Sequence, residues 1–280
     1  MCFSAHYAWV MRESVSLGDI QETLLIPLYG RALDARRQRS VLNDSSAIDL
    51  VDRIDYDFGK FRGPSLTGSV LRASIFDGYV RHFLHVHQTG TVVDLGCGLS
   101  TRFHRLDNGL VRWFDLDVPD TMALRRKFFD ETDRYTMISG SIFDTDWYNQ
   151  VRESPGPLLL LSEAVLLYFP VTDVHPLLRR MAQAFPGTPI AFDTAGPTMI
   201  DRQDQNQVFR AVSARMQWAC NNPAELEQFG LRLQESRTFA DPQPEVGRKW
   251  QPRYRYGFKL LRWSSPVKAY RFNLFLADSP

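Results

Sequence analysis

Between Thr91 and Leu276, short apolar runs of strand length alternate with longer stretches whose apolar residues recur at helical spacing. Strands are expected at Thr91–Leu95, Leu110–Leu116, Tyr135–Ser139, Leu158–Leu161, Pro189–Asp193, Leu231–Thr238 and Ala269–Leu276. Helices fill the gaps, among them Pro119–Thr132, with proline at its first position, and Val171–Phe185. This alternation predicts a doubly wound α/β sheet, which binds ligands outside the carboxyl ends of its strands. The interval Gly196–Cys220 is helical in pattern and follows the fifth strand, so an insertion at about 196–225 is expected over those ends. No internal repeat or low-complexity tract interrupts the pattern.

The first ninety residues read as helical. Glu22–Arg39 carries Leu24, Leu25, Leu28 and Ala32 at helical spacing. Asp44–Asp57, acidic with interleaved Ile48, Leu50, Val51 and Ile54, predicts a helix and turn on the surface. Leu71, Ile75, Tyr79, Phe83 and Val86 form an amphipathic stripe leading into the first strand. A minimal Rossmann unit has no place for these elements, so residues 1–88 are expected to form a helical cap and 89–280 the core. Gly59–Gly68 (GKFRGPSLTG) is the candidate hinge or lid.

The chemistry concentrates in TVVDLGCGLSTRFHRLDNGLVRWFDLDVP, Thr91 to Pro119. Asp94 lies near the end of the first strand as a candidate cofactor contact, and Gly96 and Gly98 allow a tight turn and close approach of a ligand to the backbone. The next strand ends in Asp115 and Asp117, about 20 residues later, where an acidic side chain reaches the ribose of a nucleoside cofactor. A dinucleotide fingerprint needs a third glycine where this chain has Thr101, and Arg102, His104 and Arg105 follow. The pattern therefore favours S-adenosylmethionine, which has no pyrophosphate, over NAD. A tight strand-to-helix turn without a ligand is the alternative reading of the glycines.

Taken together, the chain resembles the leucine carboxyl methyltransferase family, and most closely its bacterial branch of polyketide O-methyltransferases of the tetracenomycin type. The resemblance rests on ETLLIPLYGRALDAR at Glu22–Arg36, a lone Arg72 followed by FDGYVRHFL, DLGCGLSTRFHRL at Asp94–Leu106, WFDLDVPD at Trp113–Asp120, LLLSEAVLLYFP at Leu159–Pro170 and WACNNPAELEQFGLRL at Trp218–Leu233. It implies a class I methyltransferase core and S-adenosyl-L-methionine as cofactor. It also assigns roles: Asp117 to the ribose, Glu163 to the methionine end, Arg72 to the cofactor carboxylate, and Ser141 and Ile142 to the adenine. Two positions depart from the pattern, since relatives commonly carry aspartate where this chain has Ser141 and Ser100, which leaves Asp144 as another adenine candidate.

Independently of the resemblance, Arg72 interrupts an apolar stripe and must find an anion, because a guanidinium does not deprotonate. That anion is either a ligand carboxylate or an internal acid such as Asp77 or Asp94. Glu163 follows a very apolar strand, where an unpaired carboxylate is costly to bury; its other reading is a helix-capping acid. No general base stands out among His6, His85, His87, His104 and His175. Tyr29, Tyr168 and Phe209 are the candidate substrate contacts, with Trp147 and Trp218 as further aromatics for a substrate cavity.

Bulk properties narrow the picture only slightly. A net charge of +1 and a pI of about 7.8 provide no general basic field for nucleic acid or anionic lipid. Cys2, Cys97 and Cys220 are too few and scattered for a disulfide framework or a zinc site, and a reducing cytoplasm is expected. No run approaches the roughly 18 apolar residues of a membrane span. The expected function is O-methylation of a hydroxyl or carboxyl group on a small, polyketide-like metabolite, with no metal. Carboxyl methylation of a protein or peptide C-terminus, a non-catalytic cofactor-binding protein and a dinucleotide oxidoreductase are the alternatives.

Overall fold

The computed structural model describes residues 12–278. A short parallel pair in the N-terminal region, β1 (Glu13–Ser14) and β2 (Ile54–Asp55), stands apart from the main sheet. The main sheet has seven strands: β3 (Thr91–Leu95), β4 (Arg112–Asp117), β5 (Tyr135–Ser139), β6 (Leu158–Ser162), β7 (Pro189–Ala195), β8 (Leu231–Arg237) and β9 (Tyr270–Ala277). Their order is β5-β4-β3-β6-β7-β9-β8, and β9 runs antiparallel to both neighbours. Every expected strand is present within a few residues. β3 is buried along its whole length, as befits a central parallel strand, and the one charge within it, Asp94, is paired with Arg102.

The chain reverses its direction of travel across the sheet at β3, which pairs with β4 on one side and β6 on the other. At such a switch point the loops leaving adjacent strands diverge and leave a crevice. The register puts Asp94 level with Asp115, and Asp117 level with Ser139. The strand-end acids and the glycine turn therefore share one edge.

The helices depart from expectation where tertiary contacts intervene. The helix expected at Pro119–Thr132 is α-helical only over Pro119–Arg125. Beyond it, Thr132 pairs with Tyr135, and Glu131 accepts the Met137 N–H at 2.6 Å, which draws the chain out of the helix. The interval Gly196–Cys220 is not a continuous helix. It contains single turns at Pro197–Asp201, Gln203–Gln205 and Phe209–Ala211, followed by a stretch held by Gln217 and Trp218 N–H groups on the Leu167 carbonyl.

The N-terminal elements are α1 (Leu25–Ala35), α2 (Ser45–Arg53) and α3 (Ser65–Val86). The Asp44–Asp57 segment is the surface helix and turn expected, with Asp49, Asp52, Asp55 and Asp57 exposed, and it is fastened to the interior at Asp44. Asp44 caps α2 and is itself buried, accepting from Arg31 Nε at 2.9 Å, Thr101 Oγ1 at 2.6 Å and Arg105 at 3.2 Å. Those bonds tie α1 and α2 to the turn after β3. α3 lies against the sheet: Tyr79 Oη donates to the Phe272 carbonyl at 3.1 Å, and Phe76 meets the Phe272 ring edge-on. Within the candidate hinge, Phe61 and Leu66 are buried and α3 begins at Ser65.

Candidate active site

The turn after β3 is shaped by two positive-φ glycines, Gly96 at +73° and Gly98 at +53°. A Cβ at Gly96 would stand 2.4 Å from Val165 Cγ2, so the glycine is required by packing as well as by conformation. Two side chains hold the turn. Asp117 Oδ2 accepts the Gly98 N–H at 2.7 Å, and Arg125 donates to the Gly98 carbonyl at 2.9 Å.

Against this turn opens a cavity of about 300 Å³ at the carboxyl edge of the sheet. Arg72, Asp94, Gly96, Gly98, Asp117, Ser141, Ile142 and Glu163, the eight residues expected around the cofactor, all line it, as do Tyr168 and Phe209. Tyr29 does not; it stacks on Phe58 at 5.4 Å inside the N-terminal unit. Trp147 is packed against Tyr148 and Phe185, and Trp218 is buried beside Phe192, both away from the cavity.

The two acids ending β4 have separate fates. Asp115 is fully buried, accepting from Trp113 Nε1 at 2.8 Å and Tyr135 Oη at 2.6 Å and pairing with Arg125. It is sealed away from the cavity lining, so the alternative ribose contact is removed. Asp117 faces the cavity, and burial pushes its carboxyl up to about 6 although two backbone N–H groups oppose the shift. Asp144 is exposed and accepts the Ser141 N–H at 3.0 Å, bracing the loop beside Ile142.

Glu163 caps no helix. Arg72 Nε donates to its Oε1 at 2.8 Å, and Arg102 pairs with its Oε2. Burial disfavours its charge, but Arg102 and Arg72 outweigh that and hold its pKa below the ordinary value. The internal partners considered for Arg72, Asp77 and Asp94, are both committed to Arg102, at 3.0 and 2.6 Å. Arg72 instead meets Glu163, with Asp193 at 4.0 Å, and keeps 17% of its side chain exposed in the cavity wall.

Several residues of this site were missed from sequence. Arg102, only 2% exposed, pairs with Asp77, Asp94 and Glu163 together, and Arg105 and Arg72 share the charge of Asp77 and Glu163. It sat within the glycine motif but was read only as evidence against a pyrophosphate. Asp193 carried the same signal as Asp117, an acid near the carboxyl end of an apolar strand. It accepts the Ala164 N–H at 2.8 Å and the Tyr270 hydroxyl, and burial pushes its carboxyl up to about 6. Tyr270 had no sequence signal: only the antiparallel register, which sets it opposite Ala195, brings the start of β9 to the ligand edge. Ala164 is held at φ +55°, a conformation unusual for alanine, where the chain turns into the cavity wall.

None of His85, His87, His104 and His175 lines the cavity, and His6 lies outside the described residues. His104 is stacked on Phe129, and burial lowers its pKa; His175 packs on Phe229. Among the described residues no group of His, Cys, Asp or Glu is placed to hold a metal, and no helix is long and apolar enough to cross a membrane.

Residues 25–182, more than half of the chain, match the family model described as leucine carboxyl methyltransferase. The chain belongs to the leucine carboxyl methyltransferase family. It is similar to the tetracenomycin polyketide synthesis O-methyltransferase TcmP of Streptomyces glaucescens, 35% identical over 270 residues, which cover 91% of this chain and 100% of that protein. The S-adenosyl-L-methionine-dependent methyltransferase dpfgK of Gibberella zeae is 30% identical over 246 residues, covering 79% and 83% of the two chains. In fold, a duf574 family protein from Streptomyces avermitilis matches with a TM-score of 0.58 at 14% identity, covering 92% of this chain and 97% of that one. The chain is thus an S-adenosylmethionine-dependent methyltransferase on a class I core. Its cavity suits that cofactor: a guanidinium with room for an anion, a carboxylate with lone pairs at the strand end, and a glycine backbone between them.

Proposed function

We propose that this methyltransferase transfers the methyl group to oxygen on a small, polyketide-like metabolite. The observation that carries this reading is the second half of the cavity, walled by Met199, Val208, Phe209, Met216 and Phe239, an apolar and aromatic lining beside the polar cofactor end. A concave apolar and aromatic lining of this kind suits a small aromatic ring system better than the C-terminus of a folded protein. The name of the Streptomyces glaucescens relative, matched along its whole length, supports the same substrate class.

In this reading Asp117 accepts from the ribose hydroxyls, Arg72 pairs with the cofactor carboxylate, Glu163 orients Arg72, and Ser141 and Ile142 border the adenine. Asp94 acts mainly through Arg102. When bound, S-adenosylmethionine supplies a methyl group on a positively charged sulfur. The protein's part is then alignment and exclusion of water, which is enough to provide much of the acceleration of an in-line displacement. Within the N-terminal cap and the insertion, residues from 20–73 and 199–216 supply walls of the cavity, and Tyr168 and Phe209 contact the acceptor.

Tyr270 and Asp193 favour a hydroxyl acceptor over a carboxyl. A carboxylate is already ionised at neutral pH, whereas a phenol must lose a proton. In this reading Tyr270, which lines the cavity and donates to Asp193, takes that proton while passing its own to Asp193. The protein is expected to work in a reducing cytoplasm on a free small molecule, without nucleic acid.

The test is mass analysis of the purified protein incubated with S-adenosylmethionine and, separately, polyketide phenols, polyketide carboxylic acids and peptides with a free C-terminus. A methylated phenol is expected. Methylation of peptides alone would transfer the reading to a peptide carboxyl methyltransferase, and tight binding of the cofactor with no acceptor methylated would favour a non-catalytic protein.

A further inference from the structure

Of the seven large hydrophobic residues exposed among the described residues, four lie within eight positions: Tyr256, Leu260, Leu261 and Trp263. They sit on and just after the helix Pro252–Leu260. Tyr256, Leu260 and Trp263 recur at four- and three-residue spacing, so they form one stripe, and Arg255, Lys259 and Arg262 form the stripe beside it. The basic side chains stay close to the rings: Arg255 lies 5.5 Å from the Tyr256 centroid, Arg262 5.2 Å and Lys268 4.8 Å from that of Trp263. From Arg248 to Lys268 the chain carries seven Lys and Arg and no acid, in a protein whose net charge is only +1. Charge that is balanced overall is concentrated locally.

The opposite face of the same helix is anchored. Phe258 stacks on Phe239 at 5.1 Å, Trp250 just before the helix donates to Ser74 Oγ at 2.9 Å, and Phe239 lines the cavity. The exposed ridge is therefore mounted directly behind the cavity wall.

We propose that this ridge docks the enzyme peripherally on an anionic lipid surface. Leucine tips and an indole beside a row of cations match the headgroup boundary, where apolar side chains enter and Lys and Arg remain with the phosphates. The shape favours lipid over a folded partner. Leu260 is 84% and Trp263 72% exposed, so the ridge projects outward, and a deformable bilayer accepts such tips without a preformed pocket. The binding is reversible: the exposed apolar area is small, and the electrostatic part is screened by salt.

The experiment is co-sedimentation of the full chain with vesicles of equal parts phosphatidylglycerol and phosphatidylcholine, compared with phosphatidylcholine alone. Binding is expected to the anionic vesicles only and to weaken with salt. Replacing Arg255, Lys259 and Arg262 together by Gln should weaken it about a hundredfold, and Leu260→Glu with Trp263→Glu should abolish it. Each variant should retain the parent's melting temperature, since none of these residues is buried. Absence of binding to anionic vesicles, equal binding to neutral ones, or unchanged binding by the variants would overturn the proposal. Sedimentation showing a dimer that the Leu260/Trp263 variant dissolves, without vesicle binding, would reassign the ridge to a second copy of the chain. Ridge-dependent binding to a purified acidic protein with no vesicle binding would overturn it in favour of a protein partner.

Discussion

The two ends of the cavity are built on opposite principles. At the polar end, buried guanidiniums stand behind the cavity wall: Arg102 behind Glu163, and Arg125 behind the Gly98 carbonyl. At the apolar end, Met199, Phe209 and Met216 come from single helical turns and extended backbone, fastened by side-chain-to-backbone bonds such as Gln203 with Met216. Buried ion networks tolerate little displacement, because losing one partner strands the others in low dielectric. Apolar contacts made by loops tolerate substitution far better. One end is thus suited to holding an invariant cofactor, the other to accommodating different acceptors.

The largest effect should come from cutting the support of the polar end. Arg102→Leu leaves Asp77, Asp94 and Glu163 without their shared cation and should cost about 3–5 kcal/mol, read as a collapse of the melting temperature. A shift of only a degree or two would show that the network is dispensable. Next comes Asp117→Ala, which removes a charged acceptor from the strand end. Cofactor affinity should fall by about 1.5–3 kcal/mol per lost hydrogen bond, read by calorimetry, while the fold survives.

Arg72→Lys should come third and separates the two arginines that share Glu163. Arg102 still neutralises the glutamate, so the unliganded protein should melt within a few degrees of the parent, while the loss of planar two-pronged geometry weakens the cofactor about tenfold. A large thermal loss with normal affinity would make Arg72 a structural residue.

The pH dependence tests the same end without mutation. The folded carboxyls of Asp117 and Asp193 stand at about 6, above the ordinary 3.8. Their contribution to the stability of the unliganded protein is therefore present below about pH 4 and lost as pH rises through about 6. Cofactor affinity should run the other way, because ribose hydroxyls need an ionised acceptor: it should drop by about tenfold per pH unit below 6. A flat affinity profile from pH 5 to 7.5 would remove Asp117 from the ribose contact. The smallest change is expected at the apolar end, where Phe209→Ala should raise the acceptor KM severalfold and leave cofactor Kd unaltered.

Much of the polar end was legible in the sequence because its signals are local. Gly96, Gly98 and Asp117 announce a turn and a strand end within one short stretch, and the residues expected around the cofactor do converge on one cavity. Tyr29 was misread because an aromatic on an amphipathic helix looks the same whether it faces a cavity or a neighbouring ring such as Phe58. The interval after the fifth strand was read as helix because its periodicity is helical; hydrogen bonds to Leu167 and Ala195, distant in sequence, pull it into turns.

By itself, then, the sequence determined the strand series, the glycine turn and the acid that faces it, since alternation, positive φ and strand-end placement each act within a few residues. Tertiary structure alone decided which arginine serves which carboxylate, that Asp115 is sealed while Asp117 two residues later is not, and that Tyr270 reaches Asp193. Those choices depend on strand register and on contacts between segments far apart in sequence, such as the 91 residues between Arg72 and Glu163. No local pattern encodes them, because a charge must be paired in the folded interior by whichever opposite charge the packing brings there.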